Sequence, residues 1–367
     1  MDTSVFSSAE IDFRYQPLFL GDGRNVARLD LAIEQEIQKR VDKALGLMWF
    51  KNDFSYKKDG EDYAAMEKAL KVLFLKNLKF QTLADSVAAR SVAEVFLPIT
   101  TNPQLEVWFI QHAFFEGVIH SPTYAEILKA LPVDAKSIFD DIIVNEDITR
   151  RAKDIIRCFD DTILWNSKRI TKDPSYDLFE HKKSIVLSLY ALNILEALLF
   201  KSSFVTTFAF AENGVMESSA KAVKKIQLDE IGHYQMTAYL IKRHKALPDW
   251  APAFAAVEAE AIEMYHRTIE IDYLWIDYVF PKDECVNLLG LNNSILKQYV
   301  DYNAFNVAQS IQLPINIKRT KNPCAWVDKY AKLSNTQVAM KETDSSNYLL
   351  GKLDTYISND LYDSLKC

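Results

Sequence analysis

The most apolar part of the chain, residues 184–210, predicts a helix that is buried on all sides. Its sequence, SIVLSLYALNILEALLFKSSFVTTFAF, contains a single acid, Glu196. A helix that is apolar all round packs inside a protein. A buried, unpaired carboxylate costs several kcal/mol or changes its protonation state, so Glu196 indicates a nearby cation. Because Asn193, Glu196 and Lys201 interrupt the apolar run, we do not expect it to span a membrane.

Apolar residues at helical spacing recur along most of the chain. The predicted helices cover residues 25–49, residues 62 to beyond 85, a segment opened by Asn102-Pro103, residues 135–167, residues 217–247 and residues 251–280. Helices joined by short connections favour one all-α bundle. We therefore expect one domain over residues 1–335, with an irregular arm at its start. Residues 336–367 are polar and weakly periodic, which predicts a flexible tail.

Composition supports this picture and narrows the possible functions. The chain has 367 residues, of which 49% are hydrophobic, with only 9 Gly and 11 Pro, so long helices are favoured over many hairpins. The formal charge of −7, without a basic tract, argues against nucleic acid or a membrane surface as a partner. The 4 Cys show no CxxC spacing, and the first residues lack an apolar leader, so we expect a reduced, cytoplasmic protein.

One pattern of acids and histidines occurs twice. In each copy an acid on one helix is followed, about thirty residues later, by an acid and a histidine one turn apart. The first copy is Asp85, Glu116 and His120, and the second is Glu196, Glu230 and His233. Residues three or four apart share a helix face. Four carboxylates and two imidazoles inside a helical bundle predict a site for two metal ions.

Each of these residues taken alone is more often an ordinary surface or core residue. Taken together they favour metal, because the two copies match in order and one acid lies within apolar sequence. Four carboxylates balance the charge of two divalent cations, and oxygen with imidazole nitrogen favours iron or manganese. Three other functions stay open from the residues: another dimetal oxidase of the same fold, ferritin-like iron storage, and a metal-free helical interaction protein.

Several segments of the sequence closely resemble the small, radical-generating subunit of class I ribonucleotide reductase. They are NLKFQTLADS, EGVIHSPTY, ALNILEALLFKSSFVTTFAFAE, LDEIGH, KNPCAWVDKY and SSNYLLG. The resemblance covers nearly the whole chain. It implies a ferritin-like fold, a homodimer, and a carboxylate-bridged dimetal centre that reacts with dioxygen. The ions would be iron first, with a manganese–iron or dimanganese pair as alternatives.

The resemblance also implies roles for single residues. Asp85, Glu116, His120, Glu196, Glu230 and His233 would be the metal ligands. Tyr124 would carry the radical in apolar surroundings that include Phe200, Phe204 and Ile226. Trp49 and Asp229 would connect His120 to an electron-transfer route, and Tyr348 would continue it. The large catalytic subunit would bind the C-terminal tail, for whose Cys367 we assign no role.

The first copy of the pattern departs from the family in its spacing. The family has ExxH, whereas Glu116 and His120 are separated by one residue more. Both spacings keep the pair on one helix face. We expect the additional residue to be absorbed as a π-bulge, with Gly117 easing the distortion.

Overall fold

The computed structural model describes residues 4–31, 33–281, 286, 288 and 290–332. The chain divides into a large unit, Met1–Val327, and a second unit, Asp328–Cys367. Only residues 328–332 of the second unit are described. The predicted domain boundary at residue 335 and the tail of residues 336–367 lie outside the described residues and stay predictions.

The described residues are mainly α-helical. The helices are α1 Gln35–Leu45, α2 Lys57–Ala65, α3 Lys68–Ser91, α4 Pro103–Phe114, α5 Ser121–Ala130, α6 Ala135–Val144, α7 Glu146–Thr171, α8 Leu178–Ile194, α9 Phe200–Glu212, α10 Glu217–Lys245, α11 Ala251–Val279 and α12 Asn293–Ser310. π-helical turns cover Val92–Phe96, Phe115–His120 and Leu195–Leu199. Short 3-10 helices cover Leu29–Leu31, Lys51–Asp53, Leu97–Ile99 and Ala325–Ala331. Across the described ranges, only isolated β-bridges occur, at Phe19–Thr100 and Leu288–Leu291.

Local chemistry explains several helix starts. The side chain of Asn102 accepts a hydrogen bond from the backbone N–H of Leu105, and Pro103 occupies the first helical position. The prediction that Asn102-Pro103 opens a helix is confirmed. Asp177 caps α8 in the same way, through bonds from Phe179 and Glu180. These caps satisfy N–H groups that have no partner inside the helix.

Three predicted helices differ in extent from the observed ones. The helix predicted over residues 25–49 is shorter, covering Gln35–Leu45. The helix predicted to begin near residue 62 begins instead at Lys68, after the separate helix α2. The one predicted over residues 135–167 is two helices, because Asn145 leaves helical geometry and caps α7 through its side chain. A side chain that bonds to nearby backbone can end one helix and start the next, even where the apolar spacing continues through that residue.

The apolar segment around Glu196 is the central element of the core. Helices α8 and α9 and the π-helical turn between them run continuously over Leu178–Glu212, which is long and apolar enough to cross a membrane. Its most apolar window is 89% buried within the protein, as expected for a core helix. Helix α10 packs against α8 and α9, while α3 packs against α7 and α9. The segment of Glu196 therefore lies among the other helices that carry acids.

Candidate metal centre

The described structure brings together the six residues of the repeated pattern. They come from α3 (Asp85), the π-helical turn Phe115–His120 (Glu116 and His120), the π-helical turn Leu195–Leu199 (Glu196) and α10 (Glu230 and His233). None has more than 3% of its surface exposed. Their side chains thus meet in the interior of the bundle, away from bulk water.

The acids and histidines form two groups of four possible ligands. One group is Asp85, Glu116, His120 and Glu230, and the other is His112, Glu116, Glu196 and His233. Within each group, one ligand atom per residue lies within 4.8 Å of all the others. Glu116 belongs to both groups, so it would be shared between two ions if both groups held one.

The longer spacing between Glu116 and His120 is accommodated as predicted. Residues Phe115–His120 form a π-helical turn. Pro122 has no N–H to offer to this turn, which favours a local departure from α-helical bonding. Both the backbone N–H and the hydroxyl of Ser121 donate to the carbonyl of Glu116. Space does not require glycine at 117, since a Cβ there would meet Ala89 at 3.7 Å, an ordinary contact.

Many buried polar atoms of the cluster lack hydrogen-bond partners among the described residues. They include both carboxylate oxygens of Asp85, Glu116 and Glu196, Oε1 of Glu230, and Nδ1 of His120. Buried polar atoms in proteins are normally paired, so such a concentration needs an explanation. Two divalent cations would satisfy these oxygen and nitrogen atoms together. The donor set therefore fits a dimetal site.

The pKa shifts of the cluster also fit a site for metal ions. Burial, followed by neighbouring carboxylates, raises the pKa of Asp85 and of Glu196 well above the usual range. Burial would also raise the pKa of Glu116, but His120 and His233 lower it more. Burial would lower the pKa of His233, yet the neighbouring carboxylates of Glu116 and Glu230 raise it to about 10. Metal ions would displace such protons, because ligating imidazoles are neutral and ligating carboxyls are ionised.

Tyr124 lies next to the cluster and is fully enclosed. It is 1% exposed, and Phe200, Phe204 and Ile226 are also buried. Burial raises the pKa of its phenol well above the usual range, and the charge of Asp85 adds to the effect. The hydroxyl is close enough to Asp85 for this interaction but forms no hydrogen bond of ordinary geometry with the described residues. The Tyr124 phenol is thus enclosed by protein, and its raised pKa favours the protonated form.

A hydrogen-bonded chain leads from the cluster to Trp49. The indole N–H of Trp49 donates to Oδ2 of Asp229 at 2.7 Å, and the same oxygen is 3.1 Å from Nε2 of His120. The indole and imidazole rings are also nearly parallel, with centroids 6.1 Å apart. The carboxylate therefore orients His120, whose other nitrogen faces Glu116 and Glu230. Tyr348 and Cys367 lie outside the described residues.

The backbone that carries Glu196 is held by a buried ion pair. Arg151 donates from Nη2 to the carbonyl oxygen of Leu199, at the end of the π-helical turn, and pairs with Asp272. Its guanidinium lies 3.5 Å from the ring centroid of Phe80 and 4.0 Å from that of Trp275. Sequence reasoning missed this pair, because no local pattern links residues 121 positions apart.

Sequence reasoning also missed His112. It belongs to one of the two ligand groups, yet it was absent from the repeated pattern. A signal existed: His112 precedes Glu116 by four residues, the spacing of two side chains on one helix face.

This geometry defines a class of protein: a helical protein with a buried site of carboxylates and histidines for two metal ions. A family model, ribonucleotide reductase, small chain, matches residues 32–323. The chain therefore belongs to the ribonucleotide reductase small-chain family. The ferritin-like oxidases and iron-storage proteins considered from the sequence are not favoured by this match.

Relatives match over nearly their whole length. A ribonucleoside-diphosphate reductase subunit beta of Haemophilus influenzae is 34% identical over 99% of each chain. The ribonucleoside-diphosphate reductase 1 subunit beta of Escherichia coli O157:H7 is 32% identical over 98% of each chain. These identities extend the family assignment across almost the entire sequence.

Solved structures support the ferritin-like fold predicted from the sequence. A ribonucleotide reductase R2 subunit from Clostridium botulinum aligns with a TM-score of 0.74 and 20% identity, over 90% of this chain and 98% of that one. A dimanganese(II) NrdF of Streptococcus sanguinis aligns with a TM-score of 0.62 and 17% identity, over 82% and 96%.

Proposed function

We propose that this protein generates and stores a tyrosyl radical as the small subunit of a class I ribonucleoside-diphosphate reductase. The radical would pass to a large catalytic subunit, where ribonucleotides are reduced to deoxyribonucleotides. The observation that carries the proposal is the buried cluster of orphaned carboxylates beside the enclosed phenol of Tyr124. Family membership supplies the reaction to which such a radical belongs.

Six residues are proposed to hold the two metal ions: Asp85, Glu116, His120, Glu196, Glu230 and His233. When bound, the ions supply the reaction with dioxygen that produces an oxidant strong enough to oxidise a phenol. Iron is the first candidate, with manganese–iron or dimanganese as alternatives, because carboxylate and imidazole donors suit both metals. The apolar helices around the cluster would exclude water and reductants.

Tyr124 is proposed as the residue that is oxidised. Its phenol must lose a proton as well as an electron, and the carboxylate of Asp85 is the base whose charge acts on it most strongly. The proton would therefore move from Oη of Tyr124 to a carboxylate oxygen of Asp85. Because Tyr124 is 1% exposed and so shielded from bulk solvent, the resulting neutral radical would persist.

Trp49 and Asp229 are proposed as the route by which the oxidising equivalent leaves. The bonds of 2.7 and 3.1 Å place one carboxylate oxygen between the indole and His120. That oxygen could accept the indole proton while an electron moves from Trp49 towards the centre. Tyr348, in the tail, is proposed as the next relay residue towards the large subunit.

The assembly and its location are proposed from family membership. The protein would act as a cytoplasmic homodimer and dock on the large subunit through residues 336–367. Nucleic acid and membrane are not expected as partners, since the formal charge is −7 and the long apolar helix is buried. The nucleotide substrate would bind to the large subunit alone.

Reconstitution of the metal-free protein tests the proposal. Adding Fe(II) in air should give a tyrosyl radical signal in electron paramagnetic resonance, and Tyr124→Phe should abolish it. Little stability should be lost, since the hydroxyl makes no hydrogen bond of ordinary geometry with the described residues. Tyr190→Phe is the matched control, because Tyr190 is equally buried but packs against Phe254. A signal that survives in Tyr124→Phe would show that the radical site is elsewhere.

A further inference from the structure

His112 approaches the metal cluster from helix α4. It is 2% exposed, and its Nε2 lies 2.8 Å from Oε1 of Glu196 and 3.7 Å from Oε1 of Glu116. Its ring stacks on that of His233, with centroids 3.7 Å apart and planes inclined by 21°. Both imidazoles therefore place a nitrogen near the same oxygen, Oε1 of Glu116, from which Nδ1 of His233 is 2.9 Å away.

The short approach between His112 and Glu196 is not an ordinary hydrogen bond. Neither ring nitrogen of His112 and neither carboxylate oxygen of Glu196 has a hydrogen-bond partner of acceptable geometry in the described part of the chain. A hydrogen bond needs the N–H to point at the acceptor as well as a short distance. Two buried atoms that are close but not aimed at each other can instead both face a third atom between them.

We propose that Nε2 of His112 is a ligand of the metal ion held by Glu116, Glu196 and His233. The inference rests on the dimetal centre of the proposed function and adds a seventh protein ligand to it. The two ions would then have different donors. The first has one imidazole, from His120, with carboxylates of Asp85, Glu116 and Glu230, whereas the second has two imidazoles and two carboxylates.

The rival interpretation makes His112 a positioning residue that donates a hydrogen bond to Glu196. Both interpretations place Nε2 near Oε1, and they differ in whether that nitrogen carries a proton or a metal ion. Replacing His112 by glutamine distinguishes the two interpretations. Its amide can donate a hydrogen bond to Glu196, but it has no imidazole nitrogen. His112→Gln should preserve a positioning role and remove a ligand.

The test uses the full-length, metal-free protein loaded with Mn(II) without oxygen. Equilibrium titration should find two ions per chain in the wild type. His112→Gln and His112→Ala should each bind the second ion at least about 100-fold more weakly, since loss of an outer hydrogen-bond partner alone costs up to about that factor. The first ion should be unaffected. His266→Ala, which changes an exposed histidine, should bind both ions as the wild type does.

A crystal structure of the Mn(II)-loaded wild type, with anomalous scattering, provides the direct measurement. The expected result is a manganese peak within bonding distance of Nε2 of His112. The inference is overturned if two ions bind with only His120 and His233 as imidazole ligands, or if His112→Gln binds two ions as tightly as the wild type. Those results leave the proposed function intact, whereas a wild type that binds no ion overturns both. Circular dichroism of the metal-free variants establishes that they are folded.

Discussion

Replacing Glu196 by glutamine should have opposite effects on the metal-free and the metal-loaded protein. A carboxylate oxygen of Glu196 and one of Glu116 lie within 4.8 Å of each other. Two unit charges at that separation repel by about 3.5 kcal/mol at an effective dielectric constant near 20. Protonation of Glu196 offsets part of this repulsion, and so do the nearby imidazoles. We therefore expect Glu196→Gln to raise the free energy of unfolding of the metal-free protein by roughly 1–3 kcal/mol at pH 8.

The stability that the metal-free protein gains from Glu196→Gln should grow with pH. The pKa of Glu196 in the folded protein is raised well above its value of 4.5, by burial first. A carboxyl of this kind contributes stability that is present below pH 4.5 and is lost as the pH rises through the raised pKa. The metal-free wild type should therefore lose stability across that window. Glutamine does not titrate, so this part of the pH dependence should disappear in the variant.

Metal should reverse the order of stability. A ligand that binds only the folded state stabilises it by about 2.7 kcal/mol at a hundred times its dissociation constant. The variant lacks one charged ligand and should receive less of this stabilisation. The assay is urea unfolding followed by circular dichroism, with chelator or with excess Mn(II). Glu61→Gln, at an exposed position of α2, is the control and should change stability by less than about 0.5 kcal/mol. A variant less stable than the wild type in chelator, yet equally stabilised by metal, would refute the reasoning.

Three further predictions concern the surroundings of the centre and the C-terminal tail. Trp49→Phe removes the indole donor to Asp229 that the described contacts show, so it should lower the free energy of unfolding in urea by about 1–3 kcal/mol. The tyrosyl radical should still form in this variant, but its transfer to the large subunit should stop. Unchanged turnover would contradict the role of Trp49 as a relay. Arg151→Met leaves Asp272 buried without its partner and should lower the free energy of unfolding by about 3–5 kcal/mol, whereas a loss below about 1 kcal/mol would mean that the pair is dispensable. Deleting residues 336–367 should leave the metal content and the radical signal intact and abolish turnover with the large subunit, and turnover that persists would exclude the tail as the docking segment.

The π-helical turn at Phe115–His120 illustrates how far local sequence can be interpreted. A spacing one residue longer than the family pattern predicted a bulge, and the structure contains one. By contrast, the helix predicted over residues 135–167 is interrupted at Asn145, whose side chain caps α7. The apolar period continues through the break, so periodicity alone could not locate it. Helix boundaries depend on single capping bonds, whereas the existence of a helix depends on many residues.

The amino-acid sequence by itself determined that the chain is helical and which six acids and histidines belong together. Helical spacing within each copy and one acid in an apolar segment carry that information, because both are properties of neighbouring residues. Only the tertiary structure decided that Glu116 is shared by both ligand groups and that His112 lies beside Glu196. These contacts arise where separate helices pack, and the packing distance between two helices is not encoded in the periodicity of either one.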